Sequence, residues 1–349
     1  MLHDHPYVTA DKRARVEAAI QQTGYRPSLA GRQLRGMTGT AIALAVPDIR
    51  SPYFANLAHV VMTEARRREI TLFIDETEGA LDEERMTANG YPSRGIDGVI
   101  FCPIAISADE LEALKSDIPT VLLGEFISGG SFDHVAIDSR DSAREVTEHL
   151  LAGGRRRFAF AGYCDPRGHV GPGQLRLEGT RDALAAAGID PDSLLVFDRS
   201  RHTREAGWWV GNRLVDLGAD IDALVGAADL LSVGAMAALQ ARGVAIPDDI
   251  AVVSWDDAPE AQFTAPPLSS VAHDMQAIAR HAIDAIEARR DDPDRTPEHR
   301  VVPHRLVVRD SSDPSAHSVP PSQPPEAEPS RSQPPPSHDL ENAGRPAIR

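Results

Sequence analysis

Between residues 39 and 309, short apolar runs alternate with amphipathic helical stretches, and this rhythm constrains the fold more than any other feature of the chain. The runs AIALAV (41–46), TLFI (71–74), GVIFC (98–102), TVLL (120–123), HVAI (134–137), FAFAG (158–162), DALVG (222–226) and IAVVSW (250–255) are apolar on both faces. Strands of that kind are buried on both sides. YFANLAHVVMTEARRR (53–68), SAREVTEHLLAG (142–153), LEGTRDALAAAG (177–188) and LLSVGAMAALQARG (230–243) read as helices, with Gly153, Gly188 and Gly243 where helix C-caps belong. Alternating strands and helices predict parallel sheets joined by right-handed crossovers. The units suffice for two sheets, so the expected fold is α/β, with two Rossmann-like lobes. A ligand would then sit between the lobes, beyond the carboxyl ends of the strands.

Three segments follow from composition. Residues 1–37 form a basic arm. Residues 39–309 form the two-lobed body, with one lobe expected at about 39–150 and 270–298 and the other at about 151–269 and 299–309. Residues 311–349 hold ten of the 27 prolines and few large apolar side chains, too few to offset the entropy of ordering, so this tail reads as disordered. The chain carries a net charge of −16, yet residues 1–36 hold six basic against three acidic side chains. A cationic arm on an anionic body directs a polyanion to one place.

Several function classes are disfavoured. No apolar run is long enough to span a bilayer, and the N-terminal stretch MLHDHPYVTADKR lacks the apolar core of a secretory signal. Cys102 and Cys164 have no CxxC or histidine spacing for a metal, and reduced thiols in the cytoplasm are the simpler expectation. GPGQLRLEG (171–179) reads as a tight loop before a helix, without GxGxxG or a P-loop lysine. There is no GxSxG elbow, no HExxH and no evident acid–base pair. Neither catalysis nor a cofactor is expected.

The strand ends instead gather Asp48 to Phe54, Asp75 and Glu76, Glu125 and Phe126, Asp138 and Asp141, Asp165 and Arg167, His202, Asp229, and Trp255-Asp256-Asp257. Carboxylates accept hydroxyl hydrogen bonds, guanidinium donates in pairs, and aromatic rings stack on C–H faces, a mixture suited to a polyhydroxylated ligand. Asp141 and Asp229 also stand where helix N-caps are expected.

YVTADKRARVEAAIQQTGYRPSLAGRQLRG, TGTAIALAVPDIRSPYFANL, GIDGVIF, VAIDSRDSAREVTEHLLAGGRRRFAFAG, LRLEGTRDAL, ADLLSVGAMAALQARGVAIPDDIAVVSWDD, PPLSSV and HRLVVRDS, in this order and spacing, resemble the LacI/GalR (lactose-repressor-like) family of bacterial regulators. The resemblance spans residues 7–309. It implies a periplasmic-binding-protein-like body, a cytoplasmic homodimer, and a repressor whose affinity for operator DNA is set by a small effector, a sugar above all. RPSLAGRQLRG would be the hinge helix, with Arg26, Ser28, Arg32, Leu34 and Arg35 on DNA and Leu34 wedged into the minor groove. An apolar wedge flanked by arginines is the side-chain mix that unstacks a base step and holds it open. The effector site implied is Tyr53, Phe54, Asp141, Arg176, His202, Asp229 and Asp256. Arg176 would donate to the ligand, Asp256 would accept from its hydroxyls, and Tyr53 and His202 would stack. Ala228 stands where the family has asparagine.

ADKRARVEAAIQQTGY matches the third helix of the family's DNA-reading headpiece, whereas the first helix and the recognition helix have no counterpart after Met1. The expectation is a true start upstream of Met1. The alternative is a sugar sensor without sequence-specific DNA binding, because backbone contacts alone do not select sequence.

Overall fold

The computed structural model describes residues 40–91, 95–114, 116–125, 130–162, 171–198, 202–218, 220–313 and 315. The arm residues Arg26, Ser28, Arg32, Leu34 and Arg35, most of the tail, and Phe126, Cys164, Asp165 and Arg167 lie outside the described residues.

Two six-stranded sheets carry the body. In chain order the first half holds β1 (Ala41–Val46), α1 (Pro52–Arg67), β2 (Thr71–Glu76), α2 (Leu81–Ala88), β3 (Gly98–Phe101), α3 (Ala108–Ala113), β4 (Thr120–Leu123) and β5 (Asp133–Ile137). There follow α4 (Ser139–Ala152), β6 (Phe158–Gly162), α5 (Pro172–Ala186), β7 (Leu195–Asp198), α6 (Arg204–Asp216), β8 (Ala223–Gly226), α7 (Asp229–Ala241), β9 (Ala251–Trp255) and β10 (Ser269–His273). The chain ends on α8 (Met275–Asp291), β11 (His299–Val302) and β12 (His304–Val307). The first sheet runs β11-β5-β4-β3-β1-β2, all parallel. The second runs β12-β10-β9-β8-β6-β7, parallel except where β12 pairs antiparallel with β10.

Strand alternation fills both faces of each sheet. From β1, Ile42, Leu44 and Val46 join one core with α1 and α8, whereas Ala43 and Ala45 join a second with Phe101 and Leu111. In the second lobe Phe158 and Phe160 pack with α4 and α5, and Ala159 and Ala161 pack with α6 and α7. At 42% exposed, Phe73 and Ile74 of β2 depart from the expectation of a strand buried on both faces. β2 stands at the outer edge of its sheet, paired on one side only.

The lobes divide at other residues than expected. α4 packs through Ala143, Val146 and Leu150 into the second lobe, so the first passage between lobes is at Asp138, not near 150. β10 pairs with β9, and α8 packs on the first sheet, which puts the second passage at Asp274 rather than 269. β11 pairs with β5 and β12 with β10, so the third passage is Pro303, not 298. The second lobe also continues past 309. Ser311 exchanges hydrogen bonds with Val252, and the Oγ of Ser312 meets His149 at 2.9 Å. Residues 311 and 312 are therefore body, not tail. In the stretch read as a loop, Pro172 already opens α5, because proline at the first helical position has its φ preset and needs no N–H partner.

α6 and α7 lie backbone to backbone. A Cβ on Gly207 would sit 1.9 Å from the carbonyl oxygen of Leu231, and one on Gly234 would sit 2.0 Å from that of Arg204. Glycine is required at both positions for the helices to approach this closely.

Candidate functional site

Arg176, in the second turn of α5, is only 5% exposed. Its Nη1 donates to the carbonyl of Ala227 at 2.5 Å, and its guanidinium carbon lies 5.0 Å from the ring centroid of Trp255. Trp255 closes β9 and is fully buried, its indole N–H donating to Ser142 Oγ at 3.1 Å. An arginine stacked on one ring and tied to one carbonyl is fixed in direction before any ligand arrives.

The two residues after Trp255 have left-handed backbones, Asp256 at φ 110° and Asp257 at φ 46°. Neither is glycine, so this conformation must be imposed by neighbours. Asp229 imposes it. Its Oδ2 accepts from the N–H of Ala258 at 2.7 Å and its Oδ1 from Ser270 Oγ at 2.8 Å. Ser270 Oγ in turn accepts from the N–H of Asp257 at 2.9 Å. From the far end of the chain, Arg309 Nη2 meets Asp257 Oδ1 at 2.6 Å. Asp229 is the first residue of α7, following Ala228 as N-cap, so it is not itself the cap.

The electrostatics centre on Arg176. Burial pushes the carboxyl of Asp256 up to about 7, against the pull of Arg176 and a hydrogen bond from the Asp229 backbone. The carboxyl of Asp229 is also raised, by burial and then by the charge of Asp256. Burial, with the positive Arg176 nearby, drives His202 down to about 4 and His273 to about 3, so both rings are neutral near pH 7. Tyr53 is raised by burial and feels Asp256 and Arg176, and Glu125 is raised by burial and feels Arg176. Burial lifts the thiol of Cys102 to about 12, which leaves it a poor nucleophile.

Among the described residues, Arg176 Nε, Glu125 Oε2, His202 Nε2 and both ring nitrogens of His273 are buried without a hydrogen-bond partner. Buried polar atoms are nearly always paired, so these five, gathered around Arg176, make this the candidate binding site.

Of the residues expected here, Tyr53, Arg176, His202 and Asp256 share this electrostatic neighbourhood. Tyr53 packs edge to face on Phe54 at 5.0 Å and on His273 at 6.1 Å, bringing α1 of the first lobe against β10 of the second. Asp229 is present, but both of its oxygens are taken by protein donors. Asp141 does not join the site. It is the third residue of α4, half exposed and ion-paired with Arg144, and the capping side chain belongs to Asp138, which accepts from the Asp141 N–H. Sequence reasoning left His273 unmarked, since one histidine at a strand end carries no pattern, and it gave Glu125 no role beyond its place at the end of β4.

The comparisons with known proteins point one way. Residues 147–312 match the family model of the periplasmic binding protein-like domain. A solved structure described as a LacI-family transcriptional regulator, from Sanguibacter keddieii, is 32% identical, with a TM-score of 0.71, over 79% of this chain and 99% of that one. The chain belongs to the LacI family. The ribose operon repressor of Halalkalibacterium halodurans is 29% identical over 316 residues, 89% of this chain and 91% of the repressor. The regulator CelR, solved in complex with cellobiose, is 25% identical with a TM-score of 0.68, covering 87% of this chain and 92% of CelR. As a LacI-family regulator the chain has the expected two-lobed α/β architecture, and no described helix is long and apolar enough to cross a membrane.

Proposed function

We propose that this chain is a cytoplasmic, homodimeric repressor whose affinity for operator DNA is set by a neutral sugar or related polyol held between its lobes. The cluster of unpartnered polar atoms around Arg176 carries this reading. A neutral imidazole has one donor and one acceptor nitrogen, and His273 buries both without a partner. A phosphate or carboxylate only accepts, and an ammonium only donates. A hydroxyl does both, and vicinal hydroxyls meet Arg176 Nε–H and Glu125 Oε2 as well. The sugars named for the ribose operon repressor and for CelR are of this chemical class.

DNA contact falls to the arm, with Arg26, Arg32 and Arg35 on phosphates, Ser28 at the start of the hinge segment, and Leu34 as the minor-groove wedge. Effector and DNA are then linked by one coupling free energy, felt equally from either site. No catalytic step is assigned.

The test is titration calorimetry of the full chain against neutral sugars, with ribose and cellobiose first, and against sugar phosphates. A neutral sugar is expected to bind. Arg176→Ala and Asp256→Ala should each weaken binding by at least tenfold, because each leaves a buried partner unpaired. Unchanged affinity in both variants removes the site assignment.

A further inference from the structure

Each strand-to-helix passage between the lobes turns on one aspartate. Asp138 follows the last residue of β5 and Asp274 follows the last residue of β10. Their backbones nearly coincide, at φ −81°, ψ 87° and φ −74°, ψ 81°. These values fall between the helical and extended wells, near the inverse γ-turn. The N-cap residues of the other described α-helices have ψ of 125° or more. Each aspartate accepts, through Oδ1, the backbone N–H three residues on, Asp141 and Ala277 respectively, both at 2.8 Å. The helix so capped belongs to the opposite lobe from the strand before it.

We propose that Asp138 and Asp274 are paired hinge residues whose side-chain caps set the angle between the lobes. The capping bond ties the end of a strand in one lobe to the first turn of a helix in the other. It holds ψ midway between two broad wells, from which a modest twist either way swings a whole lobe. Pro303, the third passage, contributes a fixed φ.

Both hinges touch the cleft. The N–H of Ser139, next to Asp138, donates to Glu125 Oε1 at 2.8 Å, and Asp274 directly follows His273. On the reading of the cleft as an effector site, a ligand on Glu125 Oε2 and His273 acts one residue from each hinge. The second hinge also connects to the start of the described body. α8 runs from Asp274 for 17 residues, about 25 Å, to Arg290, whose Nη1 donates to Thr40 Oγ1 at 2.7 Å, where the chain from the arm enters β1.

The experiment needs no effector, so it fails or succeeds independently of the effector assignment. Spin labels on Met86→Cys of α2 and Trp208→Cys of α6, both exposed, report the interlobe distance distribution by double electron–electron resonance in the ligand-free full chain carrying Cys164→Ser. Asp138→Ala and Asp274→Ala should each broaden or displace the distribution, the balance between lobe angles shifting about fivefold for each lost cap. Asp138→Asn and Asp274→Asn, which can still cap, should restore it. Ser107→Ala and Thr203→Ala remove comparable caps from α3 and α6, each within one lobe, and should leave it unchanged. If one alanine variant does not fold, the other alanine variant and its asparagine counterpart decide. Alanine distributions that coincide with those of Ser107→Ala and Thr203→Ala overturn the hinge assignment.

Discussion

Replacing Asp256 with asparagine should stabilise the protein at pH 8 while removing its response to effector. The carboxyl of Asp256 titrates near 7 in the folded chain, against an ordinary 3.8, with burial as the main cause. The sign follows from linkage. Below pH 4 both folded and unfolded chains hold the proton and the residue costs nothing. Between pH 4 and 7 the unfolded chain releases it and the folded chain keeps it, so stability falls as pH rises and levels off above 7. Roughly three pKa units at 1.36 kcal/mol each set a ceiling of about 4 kcal/mol. Asp256 is half-buried rather than fully enclosed, which brings the expected gain for Asp256→Asn to about 2 kcal/mol at pH 8, or about 5 °C in Tm. Asp229 adds in the same direction, because its own carboxyl is held up partly by the charge of Asp256. Thermal melts of wild type and Asp256→Asn between pH 5 and 8 are the assay. The two Tm curves should lie closest at the acid end of this range, converging towards pH 4, and diverge up to pH 7, beyond which the gap is constant. Parallel curves would show that Asp256 carries no burial penalty, and the pH argument would fail. A stabilised variant without sugar binding would also show that the strain stored at this acid serves binding, not folding.

Two further substitutions test the frame around the site. Gly207→Ala drives a methyl group against the Leu231 carbonyl, 1.9 Å away, and should cost about 3 kcal/mol, read as a lowered urea midpoint with an unchanged m-value. Glu84, fully buried on α2, accepts the N–H groups of Ile104, Ala105 and Ile106 at 2.9, 2.9 and 2.8 Å. Glu84→Ala strands these three donors and should cost more than about 3 kcal/mol, with faster amide exchange at 104–106, whereas Glu84→Gln keeps an acceptor and should lose less.

The lobes were legible because strands buried on both faces leave uninterrupted apolar runs, and β1, β6 and β9 show this directly. β2 reads the same way and is half exposed, since nothing in TLFI records that it stands at a sheet edge. The passages between lobes were not legible for a related reason. The residues of α4 have the same amphipathic spacing whichever lobe they pack against, and only the contacts of Ala143, Val146 and Leu150 show that the chain has already crossed. The second and third passages were misplaced because a strand does not announce its partner. β10 and β11 each join the sheet opposite to the one expected, and strand pairing is a long-range fact.

The acids of the site separate in the same manner. Asp138 and Asp141 stand three residues apart before one helix, and either could cap it by residue type. The bond runs from the Asp141 N–H to Asp138 Oδ1, which frees the Asp141 side chain to turn outward to Arg144. Asp229 and Asp256 both follow a strand of the same sheet, and either could meet a ligand. Asp229 is claimed by Ala258 and Ser270, 29 and 41 residues away, and those bonds are what hold the backbone of Asp256 at a positive φ. One acid is thus spent in presenting the other. Residue type and spacing nominate acids for a site, but which of them is tied up within the protein is settled by donors distant in sequence. Ala228 makes the same point from the opposite side. It caps α7 without a polar side chain of its own, whereas the unpaired buried polar atoms near Arg176 include those of Glu125 and His273, one from each lobe.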